Sequence, residues 1–323
     1  MAHRILNVFC PVVLGCALLA SLAGCEKLSE GVVREIQFPE HIPELAVTFR
    51  ARPQADSLVA RTHTSAGILD TAGSQKIKDA EYTLTHTSGT TVSWGGQDDW
   101  VQHRGHALTA VDLELGTWTL TVEAPGYETA TAVQTFPPVI DSVGSYAYEA
   151  EWTVVDSTFS WDPYWNYGVR SFEFQLTLPD REGVDDLFLL RSAKKDFDDE
   201  GSWESGEVIW LESLIEDDPR TVWNESLHGF IIQDVPGTQA LESLPFEVQQ
   251  EIWGEDLEEA LESAPRLELV ALSPEMVLFY RRLDEIRNGG GGPFFSEPIL
   301  AYSNVSSGYG CFGLYTSTAI DLD

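Results

Sequence analysis

From Leu45 onward the chain alternates apolar and polar positions with a period of two. Leu45, Val47 and Phe49 are separated by polar or small residues, and Tyr82 and Leu84 repeat the pattern. The clearest case is Gly116–Glu123, where Trp118, Leu120 and Val122 share one face and a row of threonines the other. Such alternation predicts strands half buried against a core. Ala124-Pro125-Gly126-Tyr127 follows and suits a type II turn, because Pro presets the first central φ and Gly accepts the positive second one. Short, Thr-rich strands at this spacing predict an antiparallel β-sandwich over residues 44–139, closed by Pro137-Pro138.

A second, larger β-rich domain is expected over residues 140–323. Tyr146, Tyr148, Ala150, Trp152 and Val154 alternate, and so do Phe172, Phe174, Leu176 and Leu178. Further strands are predicted at 187–190, 208–211, 230–235 and 267–272. Two helical segments interrupt them. Phe246, Trp253, Leu257, Leu261 and Ala264 fall on one helical face, with Pro245 in the first turn and Gly254 as a break between two short helices. Ser273-Pro274-Glu275 starts another helix by the rules of a capping Ser, Pro at the first position and an acid at the positive end. Met276, Phe279, Tyr280, Leu283 and Ile286 form its stripe, and Asn288-Gly289 stops it. The fold class is therefore mostly β, with two or three short helices.

Ahead of this body the pattern is different. Arg4 precedes an uncharged apolar run, and Leu22-Ala23-Gly24-Cys25 ends it as a bacterial lipobox. Residues 1–24 are expected to be a removed signal peptide and Cys25 the lipidated first residue, with residues 25–43 as a tether. The apolar run is shorter than the ~20 residues a spanning helix needs. Cys10 and Cys16 leave with the signal and Cys25 is acylated, so of the four cysteines only Cys311 remains. No internal disulfide is possible, and Cys311, in an apolar run with no His after His228, reads as a buried small hydrophobe rather than a nucleophile.

Charge narrows the partners. With 19 Lys+Arg against 52 Asp+Glu, a net of -33, the chain is excluded as a nucleic-acid binder, because neutralising phosphates requires a basic surface. Anionic headgroups would repel it as well, so membrane attachment falls to the lipid. So acidic a composition with only five Lys suits a saline, halophilic setting, where salt screens the self-repulsion.

Two resemblances refine this. Leu115–Val122 followed by Ala124-Pro125-Gly126-Tyr127-Glu128 resembles the end of a carboxypeptidase-regulatory-like module, which implies an Ig-like/transthyretin-like sandwich without catalytic residues. The C-terminal block carries Pro293-Phe294, then Tyr302-Ser303-Asn304-Val305, then Gly308-Tyr309-Gly310-Cys311-Phe312-Gly313-Leu314-Tyr315. It resembles the ending of the outer-membrane lipoproteins of Bacteroidota grouped as domain-of-unknown-function family 4249. That resemblance implies a lipid-anchored protein on the periplasmic or cell-surface face of the outer membrane, an accessory of a TonB-dependent transporter. It brings no catalytic residues. Physically the tail reads as a closing element, with Phe312 and Leu314 entering a core on alternate positions. A phosphate-gripping loop is the other reading of its glycines, but it has neither the spacing nor a Lys.

Motifs for chemistry are sparse. His-Glu-x-x-His, the Gly-x-Ser-x-Gly elbow, the phosphate loop and Cys-x-x-Cys are all missing from the sequence. His103 and His106 are spaced to share a metal, yet Arg104 between them disfavours a cation. Asp196, Asp198, Glu200, Gly201, Ser202 and Glu207 match a calcium-loop template except at Glu200, within an acidic stretch where chance matches are easy. Trp161, Tyr164, Trp165 and Tyr167 crowd one loop around Pro163; they read either as a stacking platform for a sugar or partner, or as packing over the end of the second domain. No cofactor is expected. The expectation is a non-catalytic binding or accessory lipoprotein, against the alternatives of a secreted carbohydrate-active hydrolase with an unlocated carboxylate pair and a structural adhesin.

Overall fold

A computed structural model describes residues 41–66, 73–101, 104–140, 143, 148–153, 166–178, 186–192, 206–215, 218–233, 241, 243–254, 266–288 and 302–321. The expected signal segment, Cys25 and nearly all of the expected tether lie outside these. Pro43–Asp323 forms one structural unit, and it is mostly β. Its backbone is a nine-stranded sheet in the order β13 (Thr221–Asn224), β14 (Gly229–Gln233), β11 (Leu187–Ser192), β16 (Arg266–Leu272), β17 (Gly308–Asp321), β1 (Leu45–Ala51), β2 (Ala55–Thr64), β6 (Gly105–Val111) and β5 (Trp100–Val101). A four-stranded sheet, β4 (Thr91–Gly95), β3 (Glu81–His86), β7 (Thr117–Glu123) and β8 (Ala130–Thr135), packs against its β1–β2 end. Another, β12 (Gly206–Ser213), β15 (Leu244–Gly254), β10 (Asn166–Leu176) and β9 (Tyr148–Thr153), packs against its β11–β16 end.

The period-two pattern explains both layers. Trp118, Leu120 and Val122 are buried in β7, and Leu45, Val47 and Phe49 in β1, so the two inner faces supply the first core. Phe172, Phe174 and Leu176 from β10 meet Phe188, Leu267 and Leu269 in the second. The turn after β7 forms as expected, with Gly126 at φ 85° and Tyr127 N donating to Ala124 O at 3.2 Å.

β17 joins the two cores. It runs parallel to β1, pairing Leu45 with Gly308 through Ala51 with Leu314, and antiparallel to β16 on its other side. Phe312 and Leu314 enter the first core and Ile320 the second, while Cys311 points to the opposite face. There α1 (Pro274–Arg287) covers Leu189, Ile231, Val270 and Cys311. Burial pushes the Cys311 thiol up to about 12, so it remains protonated and serves as packing.

α1 starts as the sequence predicts, with Ser273 Oγ accepting from Met276 N and Pro274 opening the first turn. Its buried face differs at two positions, because Val277 is inside and Ile286 is 43% exposed. The helix expected from Phe246 is a strand. β15 pairs with β10 over its whole length and with β12 on its other side, and Leu244, Phe246, Val248 and Gln250 alternate into the interior. Two flanking strands satisfy the backbone of this segment, which overrides the weaker helical spacing of Phe246 and Trp253. Leu257, Leu261 and Ala264 lie outside the described residues, and α1 is the one helix among them.

Candidate functional site

The sequence candidates are only partly placed. Trp161, Tyr164 and Trp165 lie outside the described residues, as do His103 and Asp196–Gly201 with Ser202. The backbone of Tyr167 is in β10 opposite Trp253, and that of Glu207 in β12 opposite Ile252. Among the described residues no group of three His, Cys, Asp or Glu is close enough to hold a metal ion.

His106 is buried and fully engaged by protein. Its Nε2 lies 3.0 Å from Lys78 O, which can only accept, so the neutral ring carries its hydrogen there. Its Nδ1 then accepts from Tyr82 OH at 3.1 Å, and Tyr82 in turn is 2.7 Å from Thr62 Oγ1. Burial raises the Tyr82 phenol to about 12, with the Thr62 hydrogen bond opposing that rise. Because the folded value lies above the ordinary 10.0, the stability this group contributes is intact below pH 10 and drains away as pH climbs to about 12. Tyr82→Phe is expected to cost about 1–3 kcal/mol at neutral pH, since it strands two buried partners. It should also flatten the alkaline loss; denaturant melts of both proteins from pH 8 upward measure the two effects.

A second cluster has the residue types of a hydrolytic triad. His86 Nδ1 lies 2.8 Å from Ser88 Oγ and 3.3 Å from Glu114 Oε2, and Ser88 Oγ is itself 3.2 Å from Glu114 Oε2. A relay requires nucleophile and acid on opposite ring nitrogens. Here both crowd Nδ1, while Nε2 is buried without a partner, against Gly116. The cluster staples the β3–β4 turn to the loop before β7. Only the His-x-Ser spacing signals it in the sequence, and the acid comes from a distant segment.

An open surface lies at the β13 edge of the long sheet. The β13–β14 hairpin is set by Asn224, whose Oδ1 accepts from Leu227 N at 2.9 Å, and by Asp284 of α1, which accepts from Glu225 N and Ser226 N. On the other side Asp218 grips Arg220 through Nη2 at 2.7 Å and Nε at 3.0 Å. Those bonds hold the Asp218 carboxyl below the usual carboxylate range. Between these anchors Val222 and Trp223 are 42% and 41% exposed. A groove of about 770 Å³ opens toward α1, lined by Gln233, Arg281, Asp284 and Glu285 as well as the two exposed residues. Another of about 510 Å³ opens toward β12, lined by Glu212, Ile215, Asp218 and Phe230. Trp223 packs edge-on against Phe230 at 5.2 Å, which fixes its ring. Arg281 donates to Gln233 Oε1 at 2.7 Å, and burial lowers its pKa.

Fixed aromatics beside open grooves at a sheet edge hold ligands by area and main-chain bonding rather than by proton transfer. Sequence reasoning missed this surface, because Val222 and Trp223 look like any short core strand. Compared with known proteins, the chain matches no protein-family model and no curated protein.

Proposed function

We propose that this chain is a lipid-anchored protein of the outer membrane that binds another envelope protein through its β-rich body. The observation that carries the binding role is the exposed Val222–Trp223 edge of β13 between its two grooves. Attachment rests on Leu22-Ala23-Gly24-Cys25 at the end of its apolar run. The resemblance of the C-terminal block favours a TonB-dependent transporter as the partner. The His86–Ser88–Glu114 arrangement, with both groups on one ring nitrogen, gives a serine-hydrolase reading no support.

Cys25→Ser is expected to move the protein from the membrane fraction to the soluble fraction, read by fractionation and immunoblot. A Cys25→Ser protein that stays with the membranes refutes the anchor. Affinity capture of the wild-type protein from detergent-solubilised membranes tests the partner, and recovery of no transporter refutes that assignment.

A further inference from the structure

We infer that β13 receives an extended segment of a protein partner as an added strand, and that this segment alternates apolar with basic residues. The inference rests on the binding role proposed above and gives it a mode and a partner chemistry.

The backbone supplies the first argument. β13 ends the nine-stranded sheet, so among the described residues no strand pairs with its outer edge. Gln233 N donates to Arg220 O at 2.9 Å, and the register then runs from Thr221 opposite Ile232 to Asn224 opposite Gly229. In an antiparallel ladder the bonded pairs alternate. Val222 and Asn224 therefore bond inward to β14, while Trp223 N–H, Trp223 C=O and Thr221 C=O face outward. Thr221 N is already used, donating to Asp218 O at 3.0 Å. An arriving strand finds one donor and two acceptors in line.

Apart from being short, at four residues, β13 carries none of the usual protections within it. Proteins blunt exposed edges with Lys, Pro or a bulge. Thr221-Val222-Trp223-Asn224 has none of these. Ile215, large and exposed, extends the apolar surface beside it. Side chains of an added strand alternate between the two sides of the sheet, and each side here offers a groove.

Charge then selects the occupant. Glu225 and Glu285 line the groove toward α1 and Glu212 the one toward β12, with Arg281 as the basic residue among the linings. Asp218 is matched by Arg220, Glu285 by Arg282, and Asp284 is occupied by the hairpin loop. What remains is Glu225 on one side and Glu212 on the other of an apolar centre, which favours Lys or Arg beside Val- or Leu-like residues. A second copy is disfavoured, because each chain carries a net charge of -33 and like potentials would meet.

The test uses the full-length lipoprotein in detergent micelles and a fluorescent peptide alternating lysine and valine, followed by anisotropy in low salt. Two control peptides carry glutamate in place of lysine, or the same side chains with alternate amides N-methylated. The lysine peptide should bind at least about tenfold tighter than either control, and NaCl should weaken it. Trp223→Lys should weaken it by a similar factor with an unchanged thermal melt. Should that variant fail to fold, the N-methylated peptide carries the decision alone. Equal binding of the N-methylated peptide overturns strand addition, and equal binding of the glutamate peptide overturns the basic partner. The readout depends on neither the lipid nor the native partner. A protein that captures a transporter from membranes yet ignores the lysine peptide thus keeps the binding role and loses this mode.

Discussion

Removal of residues 309–323 is expected to leave a chain with no cooperative melt. β17 lies between β16 and β1, so its loss opens two ladders in the middle of the long sheet and exposes unpaired edges on both neighbours. It also takes Phe312 and Leu314 from the first core, Ile320 from the second and Cys311 from beneath α1. Burying each large apolar side chain contributes about 1.5–3 kcal/mol, and a domain's whole margin is only about 5–15 kcal/mol. Three such losses, together with the smaller Cys311 and the lost pairing, exhaust that margin. Differential scanning calorimetry of the truncated protein is the measurement. A single native-like transition would show that the two cores stand without the strand that connects them.

That expectation shows what local pattern can and cannot carry. The burial of Phe312 and Leu314 on alternate positions is legible from the sequence alone, as are Trp118, Leu120 and Val122 and the capped start at Ser273. The neighbour of β17 is not. A parallel pairing of Gly308–Leu314 with Leu45–Ala51 joins the two ends of the body, and no periodicity records which distant strand a given strand chooses. β15 was obscured for a related reason: its helical spacing is a local property, and the two strands that capture it are not. The candidate site was hidden by size. β13 has four residues, and whether Val222 and Trp223 are core or surface depends on β13 being the last strand of the sheet. The aromatic residues of Trp161–Tyr167 stand out because they are dense in sequence, whereas the β13 surface is assembled from a hairpin, a helix and a strand of another sheet.

Gly310→Ala should be nearly as damaging as the truncation, although it adds a single methyl group. Gly310 sits at φ 115°, a conformation that costs an L side chain energy wherever it occurs. A Cβ there would also run into Val47 O and come 2.7 Å from Val47 C, which are backbone atoms of the paired strand. Relief would require β17 to slide or lift away from β1. The loop before it resists this, because Asn304 Nδ2 donates to Phe312 O at 2.7 Å and Phe312 N donates to Asn304 Oδ1 at 2.9 Å. Phe312 is further held by stacking on Phe49 at 5.8 Å. Gly126 provides the control: it has φ 85° at a turn, with nothing within 4 Å of an added Cβ. Gly126→Ala therefore meets only backbone strain, of order 1 kcal/mol, while Gly310→Ala meets strain and an immovable neighbour and should cost roughly 4 kcal/mol or more. Urea melts of the two variants beside the parent protein separate these cases. Equal midpoints for the two alanine variants would mean that β17 and β1 are not in close register at Val47, and the parallel joint at the centre of the sheet would have to be redrawn.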